Sequence, residues 1–285
     1  MPDSPTPHSI RIGNVEIVAL PDGAADLNVH PAFAARGEPP IDWNPIRERN
    51  PDGFHGDHNH WRIHNTCYLV RSRGRSIIVD LGVGVGPYPR YGDMNGALPE
   101  AMRNADLDWQ DVDTVFFTHA HPDHVAWSID EATGLPRFPR ARHLLHQRDW
   151  DNFGGRTPPP RYFERFVRPL EQHAVLDLLP GETTITEEVT AIETPGHTPG
   201  HMSLLITSNG ERALITGDAL THPVYITEPW REFGSDADIA EGIATRKSLV
   251  DRLEADNITL AAGHFPEPGF GHVVSLEGKR WFRAL

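Results

Sequence analysis

The sequence predicts an α/β fold in which two β-sheets pack together with helices on their outer faces. The first observation is a repeated plan, because residues 67–80 and 203–218 each read as strand, polar turn and strand, and each ends in an aspartate. The second is that histidine-rich segments come directly after short apolar strands, which is the usual position of a functional site in an α/β protein. Two similar halves of this kind suit a sandwich of two sheets with helices outside.

The strands that lead to these polar segments can be placed in chain order from short apolar runs bounded by turn residues. We expect strands at residues 67–70, 76–80, 112–118, 142–147, 203–206, 212–218 and 258–262. The polar turns 71–75 and 207–211 then close two hairpins. On the strand at 142–147, the alternating His143 and His146 are expected to serve ordinary packing.

Composition fits a globular, water-soluble chain. The 285 residues, 38% hydrophobic and 23% charged, are enough for one domain spanning 1–285. We expect no membrane span, because no apolar run reaches about 18 residues. The N-terminus lacks the basic start and apolar run of a secretory signal. The single cysteine, Cys67, allows no internal disulfide, which favours a cytoplasmic protein, and its apolar strand favours core packing.

The charge balance narrows the class of substrate. The formal net charge is −14 at neutral pH. Phosphate backbones require basic tracks on their partners, so we expect no nucleic-acid substrate.

The run His119-Ala120-His121-Pro122-Asp123-His124 carries the strongest chemical signal, with three imidazoles and a carboxylate in six residues. Imidazole and carboxylate are the ligands that zinc and similar divalent ions select. A tight turn after a buried strand can aim alternate side chains at two points, so His119 and His121 would serve one ion, and Asp123 and His124 a second. The alternative is a solvated polar loop that happens to be rich in histidine.

Three further candidate ligands also follow strands. His197 lies at the apex of a turn built from Pro and Gly at 194–201, Asp218 ends the strand at 212–218, and His264 follows the strand at 258–262. A lone histidine beside glycine would most simply be structural. Their joint placement at strand ends instead predicts a site for two metals.

At this point the chain resembles the metallo-β-lactamase superfamily, whose signature is a His-x-His-x-Asp-His run followed by a His, a bridging Asp and a final His. The match spans residues 65 to 271 and implies an αβ/βα four-layer sandwich. It also implies that Asp218 bridges two divalent ions, that His201 is a structural residue behind the site, and that Asp80 orients the ligand loop. One ion would be held by His119, His121 and His197, and the other by Asp123, His124 and His264.

Within the superfamily the chain is most similar to the acyl-homoserine lactonases and the methyl-parathion-hydrolase-like enzymes, on residues 120–125, 216–223 and 264–271. The resemblance implies a hydrolase with two ions, zinc or else Mn, Fe or Co. A metal-bridging hydroxide would open a small neutral ester or lactone. The alternatives are an aryl ester or phosphotriester hydrolase and, in a different class, a metal-binding protein without catalysis.

Two residues are candidates for direct roles in catalysis. Asp123 could hold the nucleophile or shuttle its proton. Homoserine lactonases place a Tyr three residues after the bridging Asp, where it contacts the substrate carbonyl, but here that position is Thr221, with Tyr225 further on. His222 could instead supply the contact or protonate the leaving group. The alternative is that His222 merely packs before Pro223.

Two irregular segments are expected near the site. Residues 21–61 are rich in Pro and, with the residues just after them, contain His55, His58, His60 and His64, which are left out of the ligand set; the segment is expected to wrap over the site. Residues 149–171 are rich in aromatic residues and predict either a lid or a homodimer contact.

Overall fold

The computed structural model describes residues 8–27, 40–56, 60–86 and 94–285. Over these residues the chain forms two mixed β-sheets, one of eight strands and one of seven. In chain order β1 to β15 are Ser9–Ile12, Val15–Leu27, Phe54–His55, His60–Ser72, Arg75–Val79, Thr114–Phe116, Arg142–His146, Leu176–Leu179, Thr183–Thr186, Val189–Glu193, Met202–Ser208, Glu211–Ile215, Thr259–Ala261, Phe270–Leu276 and Lys279–Ala284.

The first sheet has the order β1-β2-β4-β5-β6-β7-β8, with β3 paired to β4, and the second has the order β15-β14-β13-β12-β11-β10-β9. The parallel pairs are β5–β6, β6–β7 and β7–β8 in the first sheet and β12–β13 in the second. Since parallel strands end at the same edge, segments that follow β5, β6, β12 and β13 converge on one edge of the sandwich.

The two predicted hairpins are confirmed and share one turn geometry. Ser72 pairs with Arg75 at the end of β4–β5, and Ser208 pairs with Glu211 at the end of β11–β12. Both two-residue turns, 73–74 and 209–210, have positive φ at both positions, the conformation that matches the twist of a hairpin.

Helices cover the outer faces of both sheets. The described α-helices, α1 to α8 in chain order, are Asn44–Arg49, Leu98–Asn104, Pro122–Val125, Gln147–Gly154, Arg161–Phe166, Arg168–Gln172, Val224–Thr227 and Ile239–Ala255. Among the described residues, no helix is long and apolar enough to cross a lipid bilayer.

Alternation along the strands builds three apolar layers. On β5, Ile77 and Val79 face the layer between the sheets, while Ile78 joins the layer under α2 and α4 to α6. On β12, Ile215 faces the layer between the two sheets, while Leu214 joins the layer under α7 and α8. Successive side chains of a strand point to opposite faces, so both sheets are buried on both sides. The predicted α/β sandwich is therefore confirmed.

The aromatic segment 149–171 differs from the irregular loop that the sequence predicted. Most of it lies in α4, α5 and α6, with residues 155–160 and 167 between the helices, and Phe153, Phe163 and Phe166 are buried in the layer on the outer face of the first sheet. Large rings gain more free energy from burial than from a surface loop.

The segment 21–61 is only partly irregular. It begins within β2 and includes α1 and β3, and Phe54 of β3 is buried. Residues 28–39 and 57–59, and with them His58, lie outside the described residues. Leu27, at the end of β2, and Trp61, in β4, line the pocket described below.

Candidate metal centre

The seven predicted ligands lie together at one edge of the sandwich, and Asp218 lies at their centre. Its Oδ2 is 3.3 Å from His197 Nε2 and 3.9 Å from His119 Nε2. Its Oδ1 is 3.2 Å from His124 Nε2 and 3.1 Å from His264 Nε2. One oxygen of the carboxylate thus faces each set of histidines, the arrangement that a bridging ligand requires.

The first set brings three imidazole nitrogens together. His121 Nδ1 lies 2.9 Å from His119 Nε2 and 3.0 Å from His197 Nε2. All three side chains follow the carboxyl ends of β6 and β10. The rings of His119 and His197 are buried, and His121 is half-buried.

The second set combines one carboxylate with two imidazoles. Asp123 Oδ2 lies 3.6 Å from His264 Nε2 and 3.8 Å from His124 Nε2. Asp123 and His124 belong to α3, which begins directly after His121, while His264 follows β13. All three are buried.

A hydrogen-bond chain orients two of the rings. His124 Nδ1 donates to Asp80 Oδ2 at 2.8 Å, and that oxygen also accepts from Thr118 Oγ1 at 2.8 Å. Because the Thr118 hydroxyl donates to Asp80, it accepts from His119 Nδ1 at 3.0 Å. Asp80 thus contacts both the His124 ring and the Thr118 hydroxyl that holds His119, and both rings turn Nε2 toward Asp218.

Two further acceptors orient the rings of His264 and His197 in the same way. His264 Nδ1 donates to the His64 backbone carbonyl at 2.7 Å. His197 Nδ1 donates to Asp236 Oδ1 at 3.3 Å. An acceptor at Nδ1 holds a proton on that nitrogen and directs Nε2 toward the centre.

His201 lies behind the site and holds the backbone of the bridging residue. Its Nε2 accepts from the Asp218 backbone N–H at 3.0 Å, and its Nδ1 hydrogen-bonds Thr194 Oγ1 at 2.8 Å. Gly217 has φ +50°, and a Cβ there would lie 2.7 Å from His201 Nε2. Glycine is therefore required before Asp218.

Burial and charge set the protonation of the two sets differently. Burial, with a smaller effect from neighbouring imidazoles, lowers the pKa of His121 to about 3 and that of His119 well below its usual range. Burial also lowers the pKa of His124 and His264, but attraction from nearby carboxylates, Asp218 first, outweighs it and raises both. His119 and His121 are therefore neutral and open to a cation at neutral pH, while His124 and His264 would release protons on binding one.

The donor set fits divalent metal ions. Zinc binds imidazole nitrogen at about 2.0–2.1 Å in tetrahedral geometry, which places neighbouring ligand atoms about 3.3 Å apart. The contacts above, 2.9 to 3.9 Å, lie around that spacing. His124 Nε2 is buried and makes no hydrogen bond within the described part of the chain, which a cation would correct.

A pocket of about 360 Å³ opens above this centre, with the candidate ligands as its floor. Its walls come from β2 and β4 and from the loops after β12 and α7: Leu27, Trp61, Ile63, Thr221, Phe233 and Ser235. A second pocket, of about 310 Å³, shares Pro122 and Asp123 with the first and is lined by Val83, Tyr162 and Arg161 among others. Asp123 therefore borders both spaces, and α5 supplies one wall of the second pocket.

The His222 ring does not line either pocket, unlike its neighbour Thr221. It is buried edge-on against Phe54, Trp61 and Trp43, with ring centroids 5.1, 5.8 and 6.1 Å away. Its Nδ1 accepts from the Val224 backbone N–H at 3.1 Å, and burial lowers its pKa to about 3. In this position the His222 ring packs among aromatic side chains and lines neither pocket. Tyr225 is also directed away, with its hydroxyl donating to the Glu232 carbonyl.

Sequence reasoning missed two buried aspartates that support the site. Asp149 accepts from the backbone N–H groups of Ala120 and Gly200 and from Thr198 Oγ1 at 2.8 to 3.0 Å, and so joins the two histidine turns. Asp236 contacts His197 from an irregular loop. The only sequence signal near either is Gly242 inside α8, where a Cβ would lie 2.4 Å from Asp236 Oδ2.

Comparison with known proteins agrees with this architecture. A 28% identical relative over 230 residues is N-acyl homoserine lactonase AttM of Rhizobium radiobacter, covering 70% of this chain and 81% of that protein. A second, Bacillus subtilis (strain 168) protein YobT, is 33% identical over 158 residues, 54% of this chain and 60% of its own length.

Two solved structures share the fold along almost the whole chain. AidC, described as a dizinc quorum-quenching lactonase, superposes with a TM-score of 0.79 at 22% identity, over 98% of this chain and 97% of that one. AbOPH, described as a hydrolase in the beta lactamase superfamily, superposes with a TM-score of 0.82 at 22% identity, over 99% and 98%. The family model described as the metallo-beta-lactamase superfamily matches residues 60–273, so the chain belongs to that superfamily.

Proposed function

We propose that this chain is a hydrolase that binds two divalent ions, zinc in the first instance, and hydrolyses small neutral esters, above all lactones. The observation that carries the proposal is the Asp218 carboxylate, whose two oxygens face separate histidine sets at 3.1 to 3.3 Å. The lactonase name of the AttM relative supports the substrate class.

The ligand roles follow from the same geometry. His119, His121 and His197 would hold one ion, Asp123, His124 and His264 the other, and Asp218 both. Such a pair supplies an activated water and polarises the ester carbonyl. Neither a serine nor a cysteine nucleophile is needed, and Cys67 is buried in the core.

Asp123 is the residue placed to move a proton. Its carboxylate borders both pockets and is 7% exposed, so it can face a reactant while it stays largely shielded from solvent. We assign it the role of holding the attacking water and passing its proton to the leaving oxygen.

The pocket walls favour an uncharged substrate. Leu27, Trp61 and Phe233 line the space above the metal centre beside the hydroxyls of Thr221 and Ser235. Outside the candidate ligands, no described lining residue of this pocket is charged. The second pocket offers room for one arm of an ester beside Val83 and Tyr162. A lactone with its ring above the candidate ligands and an apolar arm in the second pocket would fit both pockets.

The test is proton release by metal-loaded protein on a panel of lactones, aryl esters and a phosphotriester, with chelated protein and the Asp218→Ala variant as blanks. Metal-dependent turnover that is fastest on lactones is the expected result. Preference for aryl esters or the phosphotriester would transfer the proposal to those substrates, which the aromatic Trp61 and Phe233 also suit. Bound metal without turnover on any substrate would indicate a non-catalytic metal-binding protein.

A further inference from the structure

His197 is linked to a buried ion pair that no described ligand role explains. Its Nδ1 faces Asp236 Oδ1 at 3.3 Å, and Asp236 Oδ2 accepts from Arg246 at 2.7 Å. The side chains of Asp236 and Arg246 are 0% and 2% exposed. A buried ion pair is costly to desolvate and is weak evidence for a stabilising role, so its position against a candidate metal ligand requires another explanation.

The same arginine also holds a wall of the substrate pocket. Arg246 donates to the Arg231 backbone carbonyl at 2.8 Å, and its guanidinium lies 4.9 Å from the ring centre of Tyr225. Between Arg231 and Asp236 the chain carries Phe233, which lines the pocket and stacks on His197 with ring centroids 5.7 Å apart. The loop is further joined to the histidine turn by the Ala237 N–H, which donates to the His197 carbonyl at 3.1 Å.

Space for the Asp236 carboxylate is made by a glycine within α8. A Cβ at Gly242 would lie 2.4 Å from Asp236 Oδ2 and 3.3 Å from the Arg246 guanidinium. Glycine inside a helix is destabilising relative to alanine, so this one has a packing purpose.

We propose that Asp236 is a positioning residue that holds His197 as a metal ligand, and that Arg246 fixes Asp236 and the loop 231–238 together. The inference rests on the two-ion centre proposed above. Because carboxylate oxygens only accept, Asp236 keeps the proton on His197 Nδ1 and turns Nε2 toward the centre. Arg246 then joins the ligand's orientation to the pocket wall that carries Phe233.

The test is a Co²⁺ titration of chelator-stripped protein, followed by visible absorption. His197→Ala and His264→Ala first identify which binding step belongs to which set of ligands. Asp236→Asn should then weaken the step that is lost in His197→Ala by about 10–100-fold, the usual effect of removing an acceptor behind a ligand, and should leave the other step unchanged. Asp256→Asn, at an exposed pair with Arg212, changes the same charge away from the centre and should change neither step.

Two further variants test the mechanism by which Asp236 is held. Gly242→Ala should weaken the same step without removing any polar group, because its Cβ displaces the carboxylate. Arg246→Lys keeps the charge but cannot contact both Asp236 and the Arg231 carbonyl. It should therefore weaken the same binding step.

The outcomes separate this inference from the proposed function. Native affinity for both steps in Asp236→Asn, or equal weakening of both, would overturn the positioning role. A native protein that binds one ion, at a step lost in His197→Ala and weakened in Asp236→Asn, would support Asp236 and overturn the two-ion proposal. No Co²⁺ binding by the native protein would overturn both.

Discussion

Asp149 Oδ2 accepts a hydrogen bond from the Ala120 backbone N–H at 3.0 Å, between the two histidines of the first metal-site turn. The same carboxylate accepts from Thr198 Oγ1 and the Gly200 N–H, in the turn that carries His197. One buried side chain therefore sets the separation of two ligand-bearing turns that are far apart in sequence.

Asp149→Ala is expected to lower the free energy of unfolding by about 3 kcal/mol or more, because it leaves three buried donors without an acceptor at about 1–3 kcal/mol each. Asp149→Asn keeps one acceptor oxygen and should lose less. Denaturant unfolding of the metal-free proteins measures both. If Asp149→Ala were as stable as the native chain, the carboxylate would not be what joins the turns.

The convergence of the candidate ligands on one edge could be predicted from the sequence, because their positions depend on local pattern. His119, Asp218 and His264 each follow a short apolar strand, and the parallel pairing of those strands carries their ends to one edge. The local pattern is less informative for His222. It lies one residue from the pocket-lining Thr221, yet its ring enters a box of three aromatic rings from segments that the local pattern does not bring together.

The supporting aspartates could not be predicted for a related reason. Asp149 and Asp236 contact the histidine turns across 29 to 51 residues of sequence, and neither belongs to a motif. The helices of 149–171 were missed because their short aromatic runs, interrupted by Pro158, Pro159 and Pro160, lack a clear helical period. Burial under the sheet, rather than local propensity, stabilises them.

Asp218→Ala is expected to weaken binding at both metal positions and to lower the hydrolytic rate by at least about 100-fold. Loss of a residue that only supports a metal ligand costs up to about 100-fold, and a ligand should cost at least as much. The reason is that each carboxylate oxygen faces a different histidine set. Metal analysis after dialysis should show deficits at both positions, compared with one position each in His197→Ala and His264→Ala. Two retained metal equivalents with the native rate would contradict the bridging role.

His222→Phe is expected to keep most of the activity, because phenylalanine can occupy the same box of Trp43, Phe54 and Trp61 rings. Steady-state rates of the metal-loaded enzyme against pH measure the effect. Removal of a general acid costs about 100-fold or more. A loss of that size, together with a missing limb in the pH profile of kcat, would restore His222 to the mechanism.

His143 predicts how the metal-free protein responds to acid. It is fully buried on β7, stacked on Phe117 with ring centroids 6.1 Å apart, and burial lowers its pKa from 6.5 to about 4. Below pH 6.5 the unfolded chain binds a proton there that the native chain does not. The contribution of His143 to the free energy of unfolding is therefore fully present above pH 6.5. It falls toward pH 4 by up to about 1.4 kcal/mol per pH unit.

His143→Leu should make the fall in stability between pH 7 and pH 5 shallower by about one proton, because the unfolded chain then has one fewer group to protonate. Denaturant unfolding of chelated protein at pH 7, 6 and 5 measures the slope, and exposed His173→Leu is the control for histidine removal. A slope equal to that of the native chain would mean that His143 carries its proton in the folded protein, and burial beside Phe117 and Phe138 would then not be what governs its charge.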